Sequence, residues 1–226
     1  MSIEKTVPSY EEVLRAIKAA GSSQQEFFGY PVREDGLYLQ QDPEEYAAFV
    51  HFMATNVPPA KLSLEIGIAS GGQTKFLRDY WHSEKTIIVD LGQHEVFPQW
   101  QRIKKSVNSE IVLEIIDDSH APRVREQLKP YFGQVEFAFV DGDHNYRGLR
   151  QDIFLTKDLL LPGGLMVLHD TAAVYDCKMV FDELLRSKDF TLVRNSQNRF
   201  GISVWKLLRV KDKPNAFNRW SGLGRI

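Results

Sequence analysis

From residue 61 onward the chain repeats one pattern that few folds can accommodate: a short apolar run, an abrupt stop at glycine or acid, then a helix-length stretch. Residues 62–66 stop at Gly67, and residues 86–89 at Asp90. Residues 111–116 stop at Asp117-Asp118-Ser119-His120, residues 135–140 at Asp141-Gly142-Asp143-His144, and residues 165–168 at His169-Asp170. Helices are predicted at about 73–81, 146–161 and 174–186, with Pro162-Gly163-Gly164 turning the chain into the fifth strand. Strands that alternate with helices form a parallel sheet, because a parallel neighbour is reached only through a crossover. Two last runs, 190–193 and 202–207, flank Asn198-Arg199-Phe200-Gly201 and close the pattern as an antiparallel pair.

Open α/β sheets hold ligands beyond the carboxyl ends of their strands, so the stop residues are the candidates for chemistry. Glu65-x-Gly67-x-x-x-Gly71-Gly72 lies between a strand and a helix, where glycines let backbone approach a ligand and the helix start offers free N–H groups. A tight turn with no ligand is the other reading of those glycines. Asp90 follows Gly67 at roughly the 20-residue spacing of an acid that takes ribose hydroxyls. The dinucleotide fingerprint is absent, since Ala69 stands two residues after Gly67. At the other end, Asp141 and Asp170 are one strand–helix–strand unit apart, which would place them on adjacent strand tips about 4.8 Å apart. Two hard oxygen ligands at that spacing suit an octahedral divalent cation such as Mg²⁺. His144, three residues past Asp141, is placed to take a proton from a hydroxyl held there.

These residues resemble class I S-adenosylmethionine-dependent methyltransferases over residues 60–210, and the closing pair is similar to the end of that family's seven-stranded sheet. The resemblance implies a Rossmann-like α/β fold, mostly parallel, with an N-terminal helical extension over 1–60 and a tail over 211–226. By it, Glu65, Gly67, Ala69, Ser70 and Gly71 belong to the cofactor loop, with the glycines facing the methionine part. Asp90 takes the ribose, Asp118 and Ser119 face the adenine, and Asp141 borders the cofactor. The Asp141-Gly142-Asp143-His144 and His169-Asp170-Thr171 pair resembles a metal-assisted O-methyltransferase branch that includes macrocin-type sugar enzymes and cephalosporin-hydroxylase-like proteins. In that branch Asp141 and Asp170 correspond to metal ligands and His144 to the general base. The residue before the second metal acid, often a carboxylate there, is His169 here, and it reads either as a further ligand or as a neighbour of the ligands. The implied activity is methyl transfer to a hydroxyl of a small sugar, glycosylated or phenolic metabolite. A non-catalytic, methyltransferase-like binding protein is the alternative. A nicotinamide oxidoreductase would lack both its glycine fingerprint and a Tyr-x-x-x-Lys pair.

Composition narrows the partners. A formal net charge of -2 gives no field to draw in nucleic acid. A single cysteine, Cys177, excludes an internal disulfide framework, and no apolar run approaches a membrane span or a signal core. The expectation is a cytoplasmic protein with a small-molecule acceptor, no nucleic-acid or membrane partner, and self-association left open. Upstream, Ser9 and Asp42 are predicted N-caps of two helices, the second carrying Tyr46, Phe49, Val50 and Met53 on one face. That region reads as a cover packed on the sheet or as a lid or oligomer arm. Asp143 reads as a ligand-side acid or a helix cap. His51, His82 and His94 read as surface or partly packed, His120 as a residue of the adenine end. Tyr80, Trp81, Phe97 and Trp100 read as core or pocket wall, and Lys104-Lys105 as a solvated face.

Overall fold

The computed structural model of the protein describes residues 8–20 and 39–208. The loop expected around Gly29, Pro31 and Gly36 and the tail with Lys211, Lys213, Arg219 and Arg225 lie outside the described residues. Among the described residues two helices precede the sheet. In α1 (Tyr10–Ala20), Glu12 Oε2 accepts the Ser9 amide at 2.8 Å while Ser9 Oγ accepts the Glu12 amide, a reciprocal cap. In α2 (Pro43–Asn56), Asp42 accepts the Glu45 amide at 3.0 Å and Pro43 occupies the first turn, where a missing N–H costs nothing.

One sheet follows, built from β1 (Ala60–Ile66), β2 (Ser83–Asp90), β3 (Glu110–Ile116), β4 (Val135–Val140), β5 (Leu160–Leu168), β6 (Phe190–Ser196) and β7 (Ile202–Leu207). Its order is β3-β2-β1-β4-β5-β7-β6, with β7 antiparallel to both β5 and β6 and the other pairings parallel. The helices α3 (Gly72–Tyr80), α4 (Trp100–Ile103), α5 (Pro122–Leu128) and α6 (Tyr146–Leu159) are the crossovers' helical parts, and α7 (Tyr175–Leu184) leads from β5 to β6.

The register brings four strand ends together. Ile66 pairs with Val89 and with Val140, and Val140 pairs with Leu168. Gly67, Asp90, Asp141 and His169 are therefore the next residues out on four neighbouring strands. Strand order reverses between β1 and β4, so this row of ends sits at the topological switch point. One expectation needs correction. Pro162-Gly163-Gly164 is not a turn ahead of the fifth strand but lies inside it: β5 already pairs at Leu160 with Val135, and the ladder resumes at Leu165 with Phe137. The five-residue step of β5 against a two-residue step of β4 is an irregularity that proline and glycine accommodate, since neither needs a regular ladder position.

Each face of the sheet has its own cover. Leu64, Ile66, Val140 and Leu168 pack with Leu149 and Ile153 of α6 and Val180 and Phe181 of α7. On the other face Phe137, Phe139, Val167 and Val204 pack with Val13 and Ile17 of α1 and Tyr46, Phe49, Val50 and Met53 of α2. The N-terminal helices are thus a packed cover, and the stripe read from their spacing is its buried face. Glu45 adds a polar tie. Its buried carboxylate accepts the backbone amides of Asn198 at 3.3 Å, Phe200 at 3.0 Å and Gly201 at 3.1 Å, holding the β6–β7 connection to α2. Among the described residues no helix is long and apolar enough to cross a membrane.

Beneath the loop after β1 lies a second buried charge. Arg78 Nη2 donates to Glu65 Oε1 at 2.7 Å and to Ser63 Oγ at 2.9 Å, and Thr74 Oγ1 donates to Glu65 Oε2 at 2.7 Å. Both charged side chains are fully buried. Burial pushes the Glu65 carboxyl up, against the opposing pull of Arg78 and Thr74. Desolvation therefore takes back much of what the pair gains, and each charge is tolerated only because the other is present. Arg78→Met alone is expected to destabilise the fold by about 3–5 kcal/mol in urea denaturation, while Glu65→Leu/Arg78→Met recovers most of that loss. Equal losses in the single and double variants would contradict this account.

Candidate active site

A cavity of about 850 Å³ opens over the carboxyl ends of the strands. Its wall includes Gly67, Ile68 and Ala69 after β1, Asp90 and Leu91 after β2, and Asp117, Asp118, Ser119 and His120 after β3. Asp141, Gly142, Asp143 and His144 follow from β4, and His169 and Asp170 from β5. The two groups of residues singled out in the sequence therefore share one cavity.

The loop after β1 is shaped by the protein as much as by any ligand. A Cβ on Gly67 would sit 2.2 Å from the Asp141 carbonyl oxygen, and one on Gly71 would sit 2.2 Å from the Trp100 ring. Both glycines also have φ near +80°, at +79° and +78°. Ala69 takes φ 47°, so the chain keeps a left-handed turn there although the residue is not glycine. Asp90 fastens this loop to the next one: its Oδ2 accepts the Ile68 amide at 2.7 Å and its Oδ1 the Gly92 amide at 2.6 Å. Not every expected loop residue faces the cavity. Glu65 is spent on Arg78 and Thr74, Ser70 is buried with its hydroxyl accepting the Gly72 amide, and Gly71 faces Trp100.

At the opposite end two acids and two histidines meet. Asp141, His144 and Asp170 offer ligand atoms that all lie within 4.8 Å of one another. His144 Nε2 is 3.3 Å from Asp141 Oδ1 and 3.3 Å from Asp170 Oδ2. His169 Nδ1 stands behind them, 3.3 Å from Asp141 Oδ1 and 3.2 Å from Asp170 Oδ2, with its ring against Phe139 and Phe200. Successive side chains of an extended strand point to opposite faces. His169 and Asp170 nevertheless both reach Asp141, and Asp170 has φ 59°, a left-handed turn that breaks the alternation. Such conformations in non-glycine residues cost on the order of 1–3 kcal/mol and collect at functional sites.

The charges in this group answer one another. Burial alone would raise the Asp141 carboxyl, but the charge of His169 and the contact with His144 hold it well below the usual carboxylate range. Burial would lower His169, and Asp141 and Asp170 instead raise it to about 10. His144 is raised chiefly by its contact with Asp141. The two imidazoles face the two carboxylates at 3.2–3.3 Å. Asp143 takes a different part: its Oδ1 accepts the Asn145 amide at 2.9 Å, and Asn145 in turn caps α6 by accepting the Gly148 amide at 2.9 Å.

Several wall residues escaped the sequence reading. Gln40, Gln41 and Gln73 line the cavity, and Gln41 Nε2 donates to Gln73 Oε1 at 3.3 Å, tying the segment before α2 to the start of α3. His94, read as a surface histidine, also lines it, as does Phe200 from the β6–β7 connection. None lies at a strand end or repeats with a period, so no pattern marks them. His51 contacts the Pro8 carbonyl at 3.0 Å, away from the cavity wall. Trp81, Phe97 and Trp100 are buried, Trp100 donating to Glu114 Oε1 at 3.0 Å, and Lys104 is paired with Glu114 at 2.9 Å.

Residues 64–171 match a family model described as a methyltransferase domain. No curated protein matches the chain. Among solved structures it is similar to the O-methyltransferase TomG of Streptomyces achromogenes, solved with S-adenosylmethionine, at 16% identity and TM-score 0.58 over 91% of this chain and 93% of that one. It is also similar to an O-methyltransferase of Bacillus cereus solved with S-adenosylhomocysteine, at 14% identity and TM-score 0.51 over 91% and 94%. An rRNA methylase of Streptococcus thermophilus aligns at 17% identity and TM-score 0.51 over 73% and 96%. Identities this low speak for the shared fold, which is the Rossmann-like fold of class I methyltransferases.

The strain at Asp170 can be measured. Asp170→Ala and Asp170→Gly both remove the carboxylate, but only glycine adopts φ 59° freely. The glycine variant is expected to be more stable than the alanine variant by about 1 kcal/mol in urea denaturation. Equal stabilities would mean that the turn stores no strain.

Proposed function

We infer that this chain, which carries a class I methyltransferase domain, is an S-adenosylmethionine-dependent O-methyltransferase acting on a hydroxyl of a small molecule with the help of a divalent cation. The observation that carries this reading is the convergence of Asp141, His144 and Asp170 on the wall of the same cavity as the glycine loop and Asp90. A binding protein would have no use for a strained acid and a cluster of titratable groups beside its ligand, and this favours a catalyst over a scaffold.

The residues fit both groups the reading requires. A cavity of about 850 Å³ suits a ligand of the cofactor's size with an acceptor beside it. The Asp90 carboxylate lines that cavity, and an acid there is suited to ribose hydroxyls. Asp141 and Asp170 are hard oxygen donors suited to Mg²⁺ or a similar cation, which would keep waters or substrate in its remaining positions, with His144 left free beside them. A bound cation would lower the proton affinity of a coordinated hydroxyl, and the sulfonium of the cofactor supplies the methyl group.

The protein's own contribution is placement and proton handling. His144 is 45% exposed at its side chain and faces the open side of the cluster, where its imidazole can accept the hydroxyl proton. Asp141 orients it through the 3.3 Å contact with Nε2. His169, buried behind the acids, supplies a positive charge that keeps Asp141 ionised and therefore able to ligate. Gln40, Gln41 and Phe200 bound the acceptor side, so the N-terminal segment and the β6–β7 connection select the substrate. The charge balance of the chain supports a small acceptor in place of nucleic acid.

The test is transfer of labelled methyl from S-adenosylmethionine to a panel of sugars, glycosides and phenols, with and without EDTA. His144→Ala is expected to lower kcat by about 10²–10⁴ while leaving S-adenosylhomocysteine binding in calorimetry nearly unchanged. Asp141→Ala and Asp170→Ala should abolish Mn²⁺ binding measured by electron paramagnetic resonance. Methyl transfer that survives EDTA undiminished would remove the cation from the reading.

A further inference from the structure

We propose that His169 is the third ligand of the cation site and tunes it to a transition-metal ion over Mg²⁺. The proposal deepens, and rests on, the reading of Asp141 and Asp170 as holders of a divalent cation. Its starting point is an imidazole whose buried nitrogens have no partner. The His169 side chain is 4% exposed, and neither ring nitrogen makes a hydrogen bond among the described residues. A buried polar atom left unmet costs about 1–3 kcal/mol, so two on one ring call for an explanation.

Packing does not supply one. The ring rests against Phe139 and Phe200, an apolar seat that a hydrocarbon side chain would fill without stranding a polar atom. Its Nδ1 lies 3.3 Å from Asp141 Oδ1 and 3.2 Å from Asp170 Oδ2, within reach of both, yet it donates to neither. A nitrogen so nearly equidistant from two carboxylate oxygens is placed for an ion that they share. Neighbouring donors about 2.1 Å from one octahedral ion are themselves about 3 Å apart, close to both separations. The backbone agrees. The left-handed turn at Asp170, φ 59°, lets two consecutive residues converge on Asp141. A counter-charge for Asp141 would need His169 alone, whereas a shared ion needs the histidine and the second acid on one side.

His144 meets the same two oxygens but differs in two respects. Its Nε2 is hydrogen-bonded to Asp141 Oδ1 at 3.3 Å, and its side chain is 45% exposed, so it is partnered and open to an acceptor. The buried histidine is therefore the ligand, and the exposed one stays the base. Carboxylates and water suit Mg²⁺, while imidazole nitrogen suits Fe²⁺, Ni²⁺ or Zn²⁺. Two acids with one imidazole still hold a divalent ion but no longer favour the hardest one. Ligation takes the neutral ring, so the ion enters as the Nδ1 proton leaves to solvent. The ion then supplies the positive charge that keeps Asp141 ionised, and one ring nitrogen is left unmet in place of two.

Electron spin-echo measurements on the full chain loaded with Mn²⁺ alone test the assignment, because a directly bound imidazole nitrogen modulates the echo. The wild type is expected to show that nitrogen modulation. His144→Gln, at the exposed position, should keep it, and His169→Gln should lose it. In calorimetry His169→Asp, which makes the set three carboxylates, should cut the preference for Co²⁺ over Mg²⁺ by at least about tenfold. Should either buried variant fail to fold, the wild type and His144→Gln decide the matter, since only His169 then faces the two acids with an imidazole among the described residues. A histidine outside the ligand set would act on both ions alike, by about 10–100-fold. Loss of the modulation in His144→Gln, or equal weakening of Co²⁺ and Mg²⁺ in His169→Asp, would overturn the proposal and leave the cation reading standing. Binding of no divalent ion by the wild type would overturn the cation reading, and this proposal with it.

Discussion

The main-chain contact between Gly67 and Asp141 is the constraint on which the rest of the site depends. The Asp141 amide donates to the Ile66 carbonyl at 2.8 Å, and the Gly67 amide donates to the Val89 carbonyl at 2.9 Å. These bonds extend the ladder one step past the ends of β1, β2 and β4, and they bring the backbone of Gly67 so close to Asp141 that a single methyl group would overlap its carbonyl. The glycine loop and the acid cluster are therefore welded at one point. Neither half can shift without the other, which is what a transfer between two bound molecules requires, because a misplacement of about 1 Å can cost 10²-fold in rate.

Around that weld the protein has solved a charge problem three times with the same device. Glu65 is neutralised by Arg78 beneath the loop, Asp152 by His120 at one end of the cavity, and Asp141 with Asp170 by His144 and His169 at the other. The three differ in solvent access, and that difference separates their roles. The Glu65–Arg78 pair is sealed and can only support the fold. The histidine pairs reach the cavity wall, where their protons and lone pairs can meet a ligand. Burial thus distinguishes a brace from a working group more sharply than residue type does.

Much of the frame was legible in the sequence because it is periodic. Apolar runs separated by helix-length stretches marked the strands, and the residues that ended them marked the cavity. The pairing of Asp141 with Asp170 could be read because one crossover places its two strands side by side. What could not be read lacks any such regularity. Glu45 reaches Gly201 across 156 residues, and His120 reaches Asp152 across the chain from another element, contacts that exist only after the sheet has assembled. The glycines were legible as residues that permit close approach, to a ligand or within a tight turn, but that Asp141 and Trp100 stand against them was not. The left-handed turn at Asp170 is invisible in the sequence, since aspartate tolerates a positive φ better than most residues but takes one in few of its positions.

The N-terminal cover then acquires a role beyond burying one face of the sheet. Glu45 fixes the amides of Phe200 and Gly201, and Gly201 has φ +90° with a would-be Cβ only 2.4 Å from the Ala172 nitrogen. The β6–β7 connection is thereby pressed against the turn that follows Asp170, and the Phe200 ring packs on His169. A chain of contacts runs from α2 through Glu45 and Phe200 to the imidazole that keeps Asp141 ionised. Gln41, a step before α2, meets Gln73 beside the glycine loop. The segment before α2 is thus mechanically part of both the glycine loop and the acid cluster. Variation there would alter the cavity wall and the charge of the acid–histidine cluster together, so the shape of this cavity is not separable from its electrostatics.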